Sequence, residues 1–349
     1  MPIAPASLPP LSMVQKNLRT MTLRMPPILT YALRRLVQAI PVVILIMIGT
    51  FLLLKLAPGD TVDALVGDMG GADAEFIARL RAEYGLDQPI WVQLWRYMTK
   101  LATFDFGWSF VYEQPVLTVL MERLGTTLLL MAASLSIAFT AGIALGAIAA
   151  RRAYSATDNM ISVLGLVFYA TPSFFLSLML MLVFSVKLGW LPVGGIKTIA
   201  AFYTGWDHVW DVARHLIMPT AALSLIYLAF YLRLMRASVM EVADLDYVRT
   251  ARAKGAREGR LMIHHIMRNA LLPVVTLLGL QFSTVLGGSI VVETIFTLPG
   301  LGQLAYQSVV QRDMNTLMGI IFLCAIIVVV VNFITDLLYA RLDSRIELA

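Results

Sequence analysis

Six runs of apolar residues, each long enough to cross a bilayer, decide what this chain can fold into. They are Leu36–Leu56, Thr126–Ala150, Asn159–Val186, Leu216–Leu232, Leu271–Val292 and Leu317–Leu338. At 1.5 Å per residue, roughly 20 helical residues cover a hydrocarbon core of about 30 Å. A helix satisfies its own backbone in lipid, whereas an open strand does not. The expected fold is therefore all-α, a polytopic membrane protein with six transmembrane helices. Composition agrees: 14% of the 349 residues are charged, against about 25% in soluble domains.

The charges between the runs set the orientation. Arg34 and Arg35 precede the first run, Arg151 and Arg152 separate the second from the third, and Arg341 and Arg345 follow the sixth. The polar interval Glu241–Pro273 carries Arg249, Arg252, Lys254, Arg257, Arg260 and Arg268. Most of the 27 Lys and Arg thus lie on one side of the membrane, and the positive-inside rule puts that side, with both termini, in the cytoplasm. The formal net charge of +5 reflects this placement rather than a nucleic-acid partner. Lys55 closes the first run and can snorkel outward.

The domain plan follows. Residues 1–30 form a flexible, basic, proline-rich tail, 31–57 the first span, 58–122 an extracytoplasmic domain, and 123–346 a core holding the other five spans. The extracytoplasmic segment is acidic, with ten Asp or Glu against four Arg or Lys. Within it, Asp73–Tyr84 reads as an amphipathic helix with Ile77, Leu80 and Tyr84 on one stripe, stopped by Gly85. Pro89 opens a second helix carrying Trp91, Leu94, Trp95 and Met98. Both are too short to span. Loop 187–215 carries Trp190, Tyr203, Trp206 and Trp210, read as interface anchors first and receptor contacts second.

Four features of the core invite closer reading. Gly142 and Gly146 form a GxxxG pair suited to close helix contact within the chain. Pro172 in YATPSFF falls mid-span and kinks it, which either exposes Thr171 and Ser173 to a pathway or only shapes packing. Glu293, near the mouth that follows the fifth span, is a candidate gate or substrate contact; a helix-end residue reaching water is the alternative. In the polar interval, Ala251 and Gly255 sit four apart, a flat strip for another backbone if both are helical, flanked by Asp246, Arg249, Arg252 and Lys254 as charge-assisted hydrogen-bond partners. An ordinary basic cytoplasmic loop is the plainer reading of that charge.

The order of residues argues further. DYVRTARAKG, followed eighteen residues after Gly255 by Pro273 in RNALLP, resembles the "EAA" loop of ABC-importer permeases, more narrowly the dipeptide, oligopeptide and nickel type. PGD (58–60), GLDQP (85–89), DFGWS (105–109), ERLGTTLLL (122–130), GGSIVVETIFTLPGLG (287–302) and RDMN (312–315) are similar to that family in the same order. The first position of the "EAA" triplet is Arg249 rather than Glu. The resemblance implies that Asp246, Tyr247, Arg249, Thr250, Ala251, Arg252, Lys254 and Gly255 form a coupling helix seated on a separate ATPase. It further implies a homologous second permease subunit, two ATPase subunits, an extracytoplasmic solute-binding protein and surrounding lipid in a bacterial inner membrane, with ATP and Mg bound by the partners and no cofactor in this chain. Peptides are the default cargo, with nickel, glutathione, opines and oligosaccharides carried by relatives.

What is missing narrows the alternatives. None of the six lysines stands in a GxxxxGK[ST] phosphate loop. His264 and His265 are adjacent, so on a helix they point apart and do not suggest a metal pair, and the single cysteine, Cys324, permits no internal disulfide. Apart from Lys55 and Asp336 near span ends, the six runs carry no charge. That disfavours a self-contained secondary transporter or channel and leaves little material for a membrane-embedded enzyme.

Overall fold

The computed structural model describes residues 27–56, 73–83 and 85–342, together with 62 and 66. The tail as far as residue 26, the PGD segment, Tyr84 and Arg345 lie outside the described residues. Helix α1 covers Pro27–Leu56, α2 Ala74–Glu83 and α3 Ile90–Ala102. A two-stranded hairpin follows, β1 (Trp108–Ser109) antiparallel to β2 (Gln114–Pro115). Then come α4 (Val116–Arg151), α5 (Ala156–Ala170), α6 (Ser173–Leu180, continued as a π-turn over Met181–Lys187), α7 (Gly205–Ala243) and α8 (Asp246–Ala253). Helix α9 runs Glu258–Ile295 through a π-turn at Leu261–Met267; α10 is Leu301–Val310 and α11 Met314–Leu342. The chain is thus mostly helical, with one short hairpin that an all-α reading misses.

Five helices are long and apolar enough to cross a membrane, or six if the bent pair α5–α6 counts as one crossing. That pair corrects the expectation of a kinked continuous helix. Its limbs, Ala156–Ala170 and Ser173–Lys187, meet at 103°. Pro172 lacks an N–H and disfavours helical backbone at the residue before it; Thr171 is extended, with ψ 124°, so one helix ends and another begins.

Several helices outrun the apolar windows. Helix α7 has 39 residues against the 17 of Leu216–Leu232, because Arg214, Arg233 and Arg236 interrupt the hydropathy but not the backbone ladder. Helix α4 begins at Val116, inside the segment assigned to the outer domain. The polar interval 241–273 is largely helical too, shared among the end of α7, all of α8 and the start of α9.

Helix α7 is the central post, with 67% of its apolar window buried, and α4 lies along it. The glycines set how closely. A methyl group built at Gly142 would stand 2.6 Å from the Tyr231 Cβ, and one at Gly146 2.6 Å from the Leu232 carbonyl oxygen. The GxxxG pair therefore serves packing within the chain, as its spacing suggests. Three apolar clusters fill the bundle. One joins α4, α5, α7, α8 and α9 around Met235, Val248 and Leu261; a second joins α1, α3, α4, α10 and α11 around Leu101, Leu120 and Leu304; a third gathers Leu130, Met218, Leu223 and Phe296. They give the bundle an α8 end and, opposite, a hairpin end.

Candidate functional site

Helix α8 projects from the bundle as a short amphipathic cylinder. Val248 is fully buried and Ala251 packs beside it on the first cluster. Asp246, Arg249, Thr250 and Ala253, at helical spacing on the other face, are exposed. Tyr247 fixes the helix to the start of α9: its hydroxyl donates to the His265 carbonyl at 3.0 Å and accepts from Asn269 Nδ2 at 2.6 Å. Such a helix presents polar side chains outward on a firm apolar footing.

The flat strip expected from Ala251 and Gly255 does not form. The helix ends at Ala253, Ala251 faces the bundle, and Gly255 sits in the turn beyond with φ +83°. The Ala256 N–H donates to the Ala251 carbonyl at 3.2 Å and the Gly255 N–H to that of Arg252 at 3.0 Å, which closes the helix end. Glycine is favoured there because only it takes a left-handed conformation without cost.

Arg252 also has a different place from the one its charge suggests. Its Nε and Nη2 donate to Glu258 Oε1 and Oε2 at 2.8 and 3.3 Å, bracing the α8–α9 turn. Arg249 and Lys254 are exposed, and neither forms an ion pair among the described residues.

Thr171, Pro172 and Ser173 occupy the break between α5 and α6. The Thr171 hydroxyl donates to the Val167 carbonyl at 2.7 Å and is thus satisfied within its own helix, while Pro172 is exposed. The structure brings none of these three to Glu293.

Glu293 is fully buried. Its Oε1 accepts from the Thr127 hydroxyl at 2.8 Å, and its Oε2 from the N–H groups of Gly302 at 2.7 Å and Gln303 at 3.1 Å. Thr127 Oγ1 in turn accepts from the Leu301 N–H at 2.7 Å. Three donors at the start of α10, which have no partners within that helix, are satisfied from α9 and α4. In this conformation Glu293 is a buckle buried away from water.

Two further motifs meet at the hairpin end. The Ser109 hydroxyl donates to Asp313 Oδ2 at 2.5 Å, and Asp313 caps α11 through the Thr316 N–H and hydroxyl at 3.1 and 2.7 Å. Asn315 Nδ2 donates to the Trp108 carbonyl at 3.0 Å, and Tyr112 donates to Gln307 Oε1 at 2.9 Å. Burial pushes the Tyr112 phenol up, which keeps that proton in place.

Sequence reasoning missed two contacts along α7. Arg236 grips the buried Asp158 with both branches of its guanidinium, and Arg233 lies over the ring of Tyr169. The pairs are far apart in sequence, and Arg233 and Arg236 fall just outside the apolar windows. Arg35 meets Asp336 at 3.2 Å, which accounts for the acid near the end of the sixth run. Among the described residues no group of three or more His, Cys, Asp or Glu is placed to hold a metal ion.

Comparison with known proteins agrees across the chain. Residues 142–348 match the family described as "Binding-protein-dependent transport system inner membrane component", and residues 28–131 match its N-terminal family. The oligopeptide transport system permease protein AppB of Bacillus subtilis (strain 168) is 40% identical over 320 residues, 91% of this chain and 99% of that one. A putative peptide transport system permease protein of Brucella abortus (strain 2308) is 40% identical over 315 residues, 90% of this chain and 98% of its own. Among solved structures, an inward-facing MetNI methionine ABC transporter shares the fold, with a TM-score of 0.53 at 18% identity over 64% of this chain and 96% of that one. The buckled motifs, the projecting helix between two long apolar ones, and relatives matched nearly end to end place this chain in the binding-protein-dependent transport system inner membrane component family.

Proposed function

We propose that the chain is the transmembrane permease subunit of an ATP-driven importer of peptides, moved by separate ATPase subunits through α8. The observation that carries this reading is the build of α8: one face sunk in the bundle at Val248, the other leaving Asp246, Arg249 and Thr250 exposed. Relatives named for peptide and oligopeptide transport, matched over nearly their whole length, support the cargo class.

In this reading α1, α4, the broken pair α5–α6, α7, α9 and α11 make six crossings of a bacterial inner membrane. The basic α8 end and both termini lie in the cytoplasm, and the hairpin end with residues 58–115 lies outside, where a solute-binding protein delivers its load. A homologous second permease subunit completes the path, with Thr171, Pro172 and Ser173 at the bend contributing to its wall. Two ATPase subunits bind ATP and Mg and carry out hydrolysis; this chain holds no nucleotide. Closure of the ATPase pair draws the coupling helices together and turns the opening outward. The energy comes from their different affinity for the two states of the bundle.

Proteoliposomes containing this chain, its second permease and its ATPases test the reading. ATP and the solute-binding protein should drive uphill uptake of labelled trialanine. Uphill uptake by this chain alone, with no ATPase present, overturns it.

A further inference from the structure

Helix α7 holds α5 at two points. At the start of α5, Arg236 Nε donates to Asp158 Oδ1 at 2.7 Å and Nη2 donates to Oδ2 at 2.8 Å. Asp158 is 1% exposed and also accepts from the Tyr154 N–H at 2.8 Å and the Ser162 hydroxyl at 3.3 Å, so both carboxylate oxygens are occupied. At the far end of α5, the Arg233 guanidinium carbon lies 4.0 Å from the centroid of the Tyr169 ring. Between them the helices are in ordinary side-chain contact, a methyl group built at Gly165 falling 3.6 Å from Leu232 Cδ1.

The register is helical on both sides. Arg233 and Arg236 are neighbours on one face of α7, and Asp158 and Tyr169 stand about three turns apart on one face of α5. For stability alone this is a poor choice, because desolvating a carboxylate and a guanidinium consumes much of what their attraction returns. A forked, two-bond pair instead fixes position and angle, which an apolar contact leaves free to slide.

Position gives that fixity a use. Helix α7 leads into α8 through only Asp244 and Leu245, and Tyr169 stands two residues before Thr171, where the chain turns by 103° into α6. We propose that Arg236 and Arg233 are positioning residues that clasp α5 to α7, so that the two helices move as one body with α8 and deliver its displacement to the bend at Thr171–Pro172. The proposal rests on the importer reading above and names the route by which the drive enters the bundle.

The test uses the assembled complex of this chain with its second permease and ATPases, carrying Cys324→Ala to remove the native thiol. Spin labels at Val163→Cys and Ala237→Cys, both exposed, report the α5–α7 distance without nucleotide and with ATP plus vanadate. With the clasp intact one narrow distance is expected, the same in both states. Asp158→Asn and Tyr169→Leu should each add a second distance in the vanadate state and cut trialanine stimulation of ATP hydrolysis by at least about fivefold, within the range of allosteric coupling. Basal hydrolysis should hold in both. Tyr169→Phe keeps the ring face and should behave as the parent does.

A parent distance that itself shifts between states overturns the clasp, as do two variants with one unchanged distance and full stimulation. If Asp158→Asn no longer co-purifies the ATPases, the exposed Tyr169→Leu decides alone. Failure of the importer reading shows separately, as a parent chain that retains no ATPase at all.

Discussion

Ser109 and Asp313, 204 residues apart in the chain, share a buried hydrogen bond of 2.5 Å in which the serine hydroxyl donates. It fastens the hairpin to the turn between α10 and α11. Because Asp313 also caps α11, one carboxylate serves three donors on two segments. Ser109→Ala should therefore loosen residues 104–115 without unfolding the bundle, at a cost of about 1.5–3 kcal/mol, because it removes the donor to the buried Asp313 carboxylate and the acceptor of the Tyr112 N–H. Hydrogen exchange should quicken in the hairpin and remain slow in α7.

Thr127 is a second joint of this kind. Thr127→Val keeps the shape but leaves the Leu301 N–H and the Glu293 carboxylate each short of a partner, a loss of about 1–3 kcal/mol for buried polar groups. Thr127→Ser restores the hydroxyl and should recover most of it. Thermal melting of the purified protein in detergent measures both. The adjoining glycines are constrained by the same buckle, since a methyl group at Gly302 would stand 2.9 Å from Glu293 Oε2 and 2.6 Å from the Ile290 Cα.

Glycines in α4 divide sharply. Gly146→Val drives a side chain onto the Leu232 carbonyl and should destabilise by at least about 1–3 kcal/mol, the usual cost of overpacking. A methyl group at Gly125 meets nothing within 4 Å, so Gly125→Ala should stabilise by about 0.5–1 kcal/mol through helix propensity alone. Melting temperatures that move together would contradict the packing described for α4 and α7.

Gly255 is constrained by conformation rather than space, because a methyl group there would touch nothing within 4 Å. Gly255→Ala should cost about 1 kcal/mol through its positive φ, while Gly255→Asn should be milder. Peptide-stimulated ATP hydrolysis is the measurement, and equal loss in both variants would point to something other than backbone strain.

The two arginines of α8 should separate as well. Arg249→Glu is expected to weaken co-purification of the ATPase subunits directly. Arg252→Glu should act through Glu258, so the double exchange Arg252→Glu/Glu258→Arg should restore assembly where Arg249→Glu has no ion-pair partner among the described residues to restore it.

The apolar runs were legible because lipid imposes one rule on every residue of a span. Helix ends were not, since α7 continues through Arg233 and Arg236 on contacts supplied by α4, α5 and α9. The pair Gly142 and Gly146 was readable from spacing alone, whereas Ala251 and Gly255 misled because the same spacing presumes a helix that stops two residues short of Gly255. The remaining motifs appeared as isolated signatures. That DFGWS meets RDMN, and ERLGTTLLL meets GGSIVVETIFTLPGLG, depends on distant contacts that no local pattern encodes. Asp158 and Arg236 were invisible for the same reason, 78 positions apart.

The burial of Val248 has a mechanical meaning. A helix hung on a flexible tether would absorb a push as slack, but this one is bolted through its own side chain into the shared apolar packing of five helices. Whatever presses on its wet face leans at once on the whole frame.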